Sequence, residues 1–185
     1  MAEHVCPWYI GYFLINPLRR FLQDPDEILA PYVKPGMRVL EVGPGMGYFS
    51  LPIARLAGET GRVYCVDMEE RMLSRLKKRS ARAGLSGRIE PRLCSRASLG
   101  LEGLDGTMDF ALAFAVVHEV PDQMNLFAEI HRALRPGGLL LVSEPTGHVS
   151  GQEFAQTLLK ARAAGFSARS SPAITRSLSA VLEKG

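Results

Sequence analysis

One segment, residues 39–47 (V-L-E-V-G-P-G-M-G), carries residues whose types and spacing could bind a small charged ligand. An acid, Glu41, lies in an apolar run, and three glycines follow it at alternate positions: Gly43, Gly45 and Gly47. Glycine lets the backbone adopt positive φ and pass close to a ligand, and the helix that follows points free N–H groups at whatever binds there. The segment predicts the first strand and ligand-binding turn of an α/β nucleotide-binding sheet.

The charge at this turn narrows the class of ligand. A dinucleotide fingerprint, G-x-G-x-x-G, would need glycine at position 48, where the chain has Tyr48. The carboxylate of Glu41 would repel a pyrophosphate but attract an amino group. S-adenosylmethionine carries such an ammonium group and has no phosphate. These residues therefore disfavour a nicotinamide-dependent oxidoreductase.

The acid-x-G-x-G-x-G string resembles the first motif of the class I (Rossmann-like) S-adenosylmethionine-dependent methyltransferases, and the chain is similar to the type 11 group. In that family the acid faces the methionine end of the cofactor and the glycines line it. The resemblance implies S-adenosylmethionine as cofactor and assigns its binding to five residues of the turn: Glu41, Gly43, Pro44, Gly45 and Gly47.

A second acid, Asp67, follows the predicted strand 62–66. An acid at the end of the second strand of a βαβ unit can accept hydrogen bonds from two ribose hydroxyls. The family carries an acid at this position, so the resemblance assigns Asp67, with Met68 beside it, to the cofactor. An alternative is that Asp67 caps the next helix, because Asp67 and Glu70 have the spacing of a capping box.

The predicted third strand, 89–93, leads into Cys94 and Ser95. Many relatives have an acid after this strand that bonds the adenine amino group, and this chain has none there. We expect Cys94 and Ser95 to contact the cofactor, with the Ser95 hydroxyl or a backbone group taking the place of the missing acid.

Polar residues follow the apolar run 109–116, which is typical of a parallel strand buried on both faces. The resemblance places a backbone group near Ala115 against the methionine moiety and His118 close to the methyl group. Where the acceptor must lose a proton, His118 or Glu144 could take it, with Tyr9 or Tyr12 closing the site. Alternatively, His118 orders its loop by hydrogen bonding.

A second family-like string, L-R-P-G-G-x-L-x-x-x-E, spans residues 134–144 and predicts the end of a helix and a strand over 139–143. The resemblance covers roughly residues 36–183. It implies a doubly wound, seven-stranded, mostly parallel sheet in the order 3-2-1-4-5-7-6, with the last strand antiparallel and helices on both faces. Residues 36–185 then form the cofactor-binding methyltransferase domain.

Residues 1–35 are predicted to be a short helical extension. The run 8–15 is rich in aromatic residues, and Asp24 precedes a proline and two acids, which predicts a capped helix through Ala30. The aromatic run could pack on the domain, or it could form a lid over the acceptor pocket or a patch for a partner or a membrane surface.

Composition indicates an ordinary globular protein, with 46% hydrophobic residues and a net charge of +3 over 185 residues. Three cysteines without a C-x-x-C pair, no signal-like N-terminus and no long apolar stretch predict a cytoplasmic protein with no metal site and no membrane span. The basic stripe of the helix over 69–83 is read as a solvated face, so nucleic acid is not expected as a partner.

We therefore predict methyl transfer from S-adenosylmethionine to a small-molecule acceptor, because the loops leave little room for a substrate domain. A homo-oligomer is compatible with this, since a second subunit could complete the pocket. The alternatives are a non-catalytic cofactor-binding partner subunit, an arsenite-type methyltransferase and an RNA methyltransferase, besides the oxidoreductase disfavoured above.

Overall fold

The structure, a computed structural model that describes residues 22–185, is built on a seven-stranded sheet in the order β3-β2-β1-β4-β5-β7-β6. β7 is antiparallel to β5 and β6, whereas every other neighbouring pair is parallel. The predicted strand order is confirmed. The strands are β1 (Arg38–Val42), β2 (Arg62–Asp67), β3 (Ile89–Leu93), β4 (Met108–Phe114), β5 (Leu134–Pro145), β6 (Phe166–Ser170) and β7 (Ser177–Lys184).

Helices connect the strands, and side-chain caps explain where several of them begin. Asp24 caps the first, and Ser150 and Glu153 form a reciprocal capping box before the last. Glu69, rather than Asp67, caps the helix that follows β2. The helices are α1 (Pro25–Leu29), α2 (Ser50–Leu56), α3 (Glu70–Arg82), α4 (Gln123–Ala133) and α5 (Gly151–Ala163), with a 3₁₀ turn at Val117–Glu119.

The central strands are apolar on both faces because helices cover the sheet on each side. Leu40 and Ala111 lie in one hydrophobic cluster, whereas Val39 and Phe110 lie in the other. This alternation follows the two-residue period of a strand. Glu41 takes its place on the same face as Val39, so its carboxyl group sits where an apolar side chain would be expected.

The described part of the N-terminal segment packs into one of these clusters. Leu29 and Val33 are buried, and the Tyr32 ring stacks on Phe110 at a centroid distance of 5.7 Å. The aromatic run 8–15, with the predicted lid residues Tyr9 and Tyr12, lies outside the described residues. The division of the chain at residue 35 stays a prediction.

Two strand boundaries differ from the prediction, each for a local backbone reason. β5 begins at Leu134, which pairs with Met108, and the ladder then resumes only at Leu139 opposite Phe110. Residues 135–138 form an irregularity inside the strand rather than a turn before it. β4 ends at Phe114 because Ala115 adopts φ +55°, a left-handed conformation that a strand cannot continue.

Candidate active site

A cavity of about 920 Å³ lies at the carboxyl ends of β1, β2 and β4. Open α/β sheets bind their ligands at this edge, where the strand order reverses. The cavity brings together His118 and every predicted cofactor-binding residue except Gly47: Glu41, Gly43, Pro44, Gly45, Asp67, Met68, Cys94, Ser95 and Ala115.

Glu41 is a buried carboxyl group at the floor of the cavity. Ser50 donates a hydrogen bond to its Oε2 at 2.5 Å, and the Cys65 thiol lies 3.4 Å from the same oxygen. Burial raises the pKa of Glu41 to about 7, and the hydrogen bond from Ser50 opposes that shift. A cation arriving at this floor would favour the ionised form.

Asp67 lies at the end of β2, in direct contact with the glycine turn. Its Oδ1 accepts a hydrogen bond from the Glu69 N–H at 2.9 Å, and its Oδ2 lies 3.3 Å from the Gly45 nitrogen. An ionised carboxylate has about four acceptor positions. The Met68 N–H is a third backbone donor, so the carboxylate keeps at least one acceptor position for a ribose hydroxyl.

The three glycines of the turn have different surroundings. A Cβ on Gly45 would meet no atom within 4 Å, whereas one on Gly43 would lie 2.6 Å from a Val116 methyl group. A Cβ on Gly47 would lie 2.5 Å from Leu76 and 2.9 Å from Leu51. Gly45 thus borders open space in the cavity, while Gly47 allows the turn to pack against α2 and α3.

Alanine at Gly47 is therefore expected to act on stability, and alanine at Gly45 on ligand binding. Both positions have positive φ, which costs about 1–2 kcal/mol for any other residue. G47A adds overpacking, so we expect it to lower the free energy of unfolding by about 2 kcal/mol or more. Chemical denaturation, with calorimetry of S-adenosylhomocysteine binding, separates the two effects; equal stability of both variants would contradict this assignment.

Arg79 also holds this turn. The sequence places it in the solvated basic stripe of α3, but the structure shows it half-buried and donating a hydrogen bond to the Met46 carbonyl. Burial lowers its pKa. Its role here is to fix the backbone between Gly45 and Gly47.

His118 and Glu144 meet at the opposite wall. Glu144 is 1% exposed, so it lies behind the cavity rather than reaching into it as the sequence predicts. Its carboxylate accepts hydrogen bonds from the backbone N–H groups of Val116, Val117 and His118 at 3.2, 2.9 and 3.3 Å. It also bonds Nδ1 of His118. Both expectations for His118, that it orders its loop and that it faces the reacting end, are compatible with this geometry.

The cavity wall after β3 contains polar groups whose arrangement the sequence does not predict. Ser95 Oγ lies 3.2 Å from each of the Ala97 and Ser98 nitrogens, so both of its acceptor positions are used and its hydroxyl can only donate. Glu129 of α4, which sequence reasoning missed, is buried and lines the cavity. It accepts hydrogen bonds from Leu99 N–H at 2.9 Å and Asn125 Nδ2 at 3.0 Å.

Sequence reasoning also missed that Gln23 and Ser177, from distant parts of the chain, line the cavity together. Tyr48 donates a hydrogen bond to the Gln23 carbonyl at 2.8 Å, and the Gln23 side chain bonds Ser177 Oγ at 3.1 Å. This strap, residues Gln23, Tyr48 and Ser177, links the N-terminal segment to the start of β7. His148 also lines the cavity, and its ring lies 5.7 Å from that of His118.

Comparison with known protein families identifies the family of this chain. The sequence model described as "Methyltransferase domain" matches residues 40–142, more than half of the chain. The chain belongs to this methyltransferase family. The matched region contains the glycine turn, Asp67 and His118, which are the residues that the cavity brings together.

Relatives of this methyltransferase include the ubiquinone/menaquinone biosynthesis C-methyltransferases of Klebsiella pneumoniae and Escherichia coli, each 31% identical over 112 residues. That match covers 60% of this chain and 44% of each relative, so the chain spans less than half of their length.

Solved structures share the fold. An S-adenosylmethionine-dependent methyltransferase from Aquifex aeolicus superposes with a TM-score of 0.86 at 23% identity, covering 97% of this chain and 98% of its own. An arsenic(III) methyltransferase from Chlamydomonas reinhardtii superposes with a TM-score of 0.64 at 22% identity, covering 83% of this chain and 64% of its own.

The cofactor of this methyltransferase is S-adenosylmethionine, and the donor set of the cavity fits it. A buried carboxyl group suits an ammonium group, and Asp67 suits vicinal hydroxyls. Gly45 leaves space beside the backbone for a close approach. None of the helices within residues 22–185 has both the length and the apolar composition of a bilayer span.

Proposed function

We propose that this methyltransferase transfers a methyl group from S-adenosylmethionine to a small-molecule acceptor. The observation that supports this best is the continuity of the cavity, which runs from Glu41 and Asp67 to His118 and His148. Its volume of about 920 Å³ is near the upper end of the range for small-molecule sites, about 300–1,000 Å³. It therefore has room for a cofactor and a small acceptor together.

We assign binding roles to the residues that line this cavity. Glu41 would hold the ammonium group and Asp67 the ribose hydroxyls, while the backbone at Gly43, Gly45 and Ala115 would lie along the methionine end. Met68, Cys94 and Ser95 would flank the adenine ring. When bound, S-adenosylmethionine supplies an activated methyl carbon on a positively charged sulfur.

The protein's own contribution is then to align the methyl donor with the acceptor and to exclude water. Holding two reactants in line can supply about 7–11 kcal/mol of the barrier. The aromatic side chains Tyr48, Phe49 and Phe114 also line the cavity and favour an apolar or aromatic acceptor. Gln23 lines the cavity beside Tyr48, which supports a role for residues 1–35 in the acceptor wall.

A labelled-methyl experiment tests this proposal. Calorimetry should first show binding of S-adenosylhomocysteine, and NADH should not bind. Methyl-labelled S-adenosylmethionine is then offered with separate pools of small metabolites, RNA and protein, and we expect label in the small-molecule pool. Label in RNA or protein alone would contradict the proposal. Cofactor binding without transfer to any pool would indicate a cofactor-binding partner subunit instead.

A further inference from the structure

We propose that Glu144 and His118 form a base dyad that takes a proton from the acceptor, and that the acceptor therefore reacts as its conjugate base. The acceptor class is a compound whose reacting atom carries an ionisable proton, such as a phenol, an enol, a thiol or an acidic C–H compound, rather than an amine. This inference rests on the proposed function and specifies its substrate.

Glu144 is built into the protein as a fixed support for the imidazole. Its carboxylate is 1% exposed, and three consecutive backbone N–H groups, those of residues 116–118, donate to it. These bonds compensate the burial of the carboxylate. They also tie the end of β5 to the loop after β4, so the carboxylate has no freedom to turn away from His118.

His118 is thereby held in one orientation. Nδ1 bonds Glu144, which leaves Nε2 as the nitrogen through which the ring can meet a ligand. The side chain is 24% exposed and lines the cavity. In the neutral ring an Nδ1–H that donates to a carboxylate requires the lone pair to be on Nε2, which is the arrangement a general base needs.

The charges around His118 support proton uptake. Glu144 of β5 raises the pKa of His118, and Glu119 of its own 3₁₀ turn acts in the same direction, while burial opposes them. The other titratable ring that faces it is His148, from the loop after β5, at 5.7 Å between centroids. The imidazolium that forms on proton uptake is thus paired with a buried carboxylate.

The reaction balances with these groups alone. For a phenol, the O–H proton moves to Nε2 of His118, and an oxygen lone pair forms the new bond to the methyl carbon. The carbon–sulfur bond breaks and its electron pair stays on sulfur, giving the neutral thioether. The positive charge lost from sulfur equals the one gained by His118. A base is needed because the pKa of a phenol is about 10, whereas a neutral amine attacks with its own lone pair.

Histidine NMR tests the dyad without turnover. The described chain offers an internal reference, His131, whose pKa burial lowers. We expect His118 to titrate above 6.5 and above His131, with Nδ1 protonated in the neutral form, and to fall in Glu144→Gln. A His118 that titrates below His131, or that Glu144→Gln leaves unchanged, would overturn the dyad. If Glu144→Gln does not fold, the titration of His118 in the wild-type protein tests the dyad by itself. The His118 signal is assigned by its loss in His118→Gln.

Acceptor preference gives the second test. Methyl-labelled S-adenosylmethionine is offered with four sets of probes: phenols, 1,3-diketones, primary amines and alkyl thiols. We expect label in phenols, diketones or thiols and not in amines, and a fall in kcat of about a hundredfold in His118→Gln, with affinity for S-adenosylhomocysteine retained. His131→Gln is the control for loss of a histidine and should keep its kcat.

The outcomes separate this inference from the proposed function. Label in amines alone overturns the dyad but leaves methyl transfer to a small molecule standing. No label in any set or in the small-metabolite pool overturns both. In Glu144→Gln the acidic limb of the kcat profile should move to lower pH, because the pKa of His118 falls; a purely structural role for Glu144 would not move that limb.

Discussion

Asp67→Ala is expected to weaken S-adenosylhomocysteine binding by at least about a hundredfold. The ribose would lose a carboxylate acceptor, and hydrogen bonds to a charged group contribute about 1.5–3 kcal/mol. The Gly45 N–H would also lose its contact with Oδ2, so the glycine turn would be less well fixed. Isothermal calorimetry measures the affinity directly.

The matched control for Asp67 is Glu70→Ala. Glu70 is an exposed acid in the first turn of α3, three residues further along the chain, and it does not line the cavity. The Glu70→Ala variant should bind S-adenosylhomocysteine almost as tightly as the wild type does. Thermal unfolding of both variants without ligand checks that the fold is intact. An affinity of folded Asp67→Ala within threefold of wild type would exclude Asp67 from the cofactor site.

The parts of the site that could be predicted are those fixed by local sequence. Glu41 lies near the end of β1 and the glycines follow it, while Asp67 ends the neighbouring parallel strand, so all of them must lie at the same edge of the sheet. The apolar run of β4 likewise predicts a buried central strand that delivers His118 to that edge. Strand order and residue type were sufficient for these positions.

Other features depend on contacts between distant segments. The burial of Glu144 is set by the amides of residues 116–118, and a sequence shows only that this acid ends an apolar strand. Gln23 reaches Ser177 across 154 positions. In α4 the apolar residue Met124 is 43% exposed, whereas Glu129 is buried because it bonds the loop after β3.

Glu41→Gln is expected to stabilise the ligand-free protein at pH 8 while weakening cofactor binding. Burial raises the pKa of Glu41 from 4.5 to about 7, so between these values the folded state holds a proton that the unfolded state has lost. Stability from this group is therefore complete below pH 4.5 and is lost as the pH rises to about 7. A shift of that size corresponds to about 3 kcal/mol. Glutamine at position 41 does not titrate, so the substitution removes this dependence of stability on pH.

Urea denaturation at pH 5 and pH 8 measures the effect on the ligand-free protein. Glu41→Gln should gain up to about 3 kcal/mol over wild type at pH 8 and little at pH 5. The exposed Glu102→Gln is the control and should keep the wild-type difference between the two pH values. A destabilised Glu41→Gln at pH 8 would show that the carboxylate is favoured by the folded state even without ligand.

The affinity for the cofactor is expected to depend on pH in the opposite direction from the stability of the ligand-free protein. This contrast explains why an acid is present in the core. A bound ammonium group favours the ionised form of Glu41 and lowers its pKa. Affinity for S-adenosylhomocysteine should therefore rise with pH up to about 7 in wild type, with proton release on binding at pH 6. Calorimetry in buffers of different ionisation enthalpy measures that proton. If Glu41→Gln still releases a proton on binding at pH 6, a group other than Glu41 contacts the ammonium group.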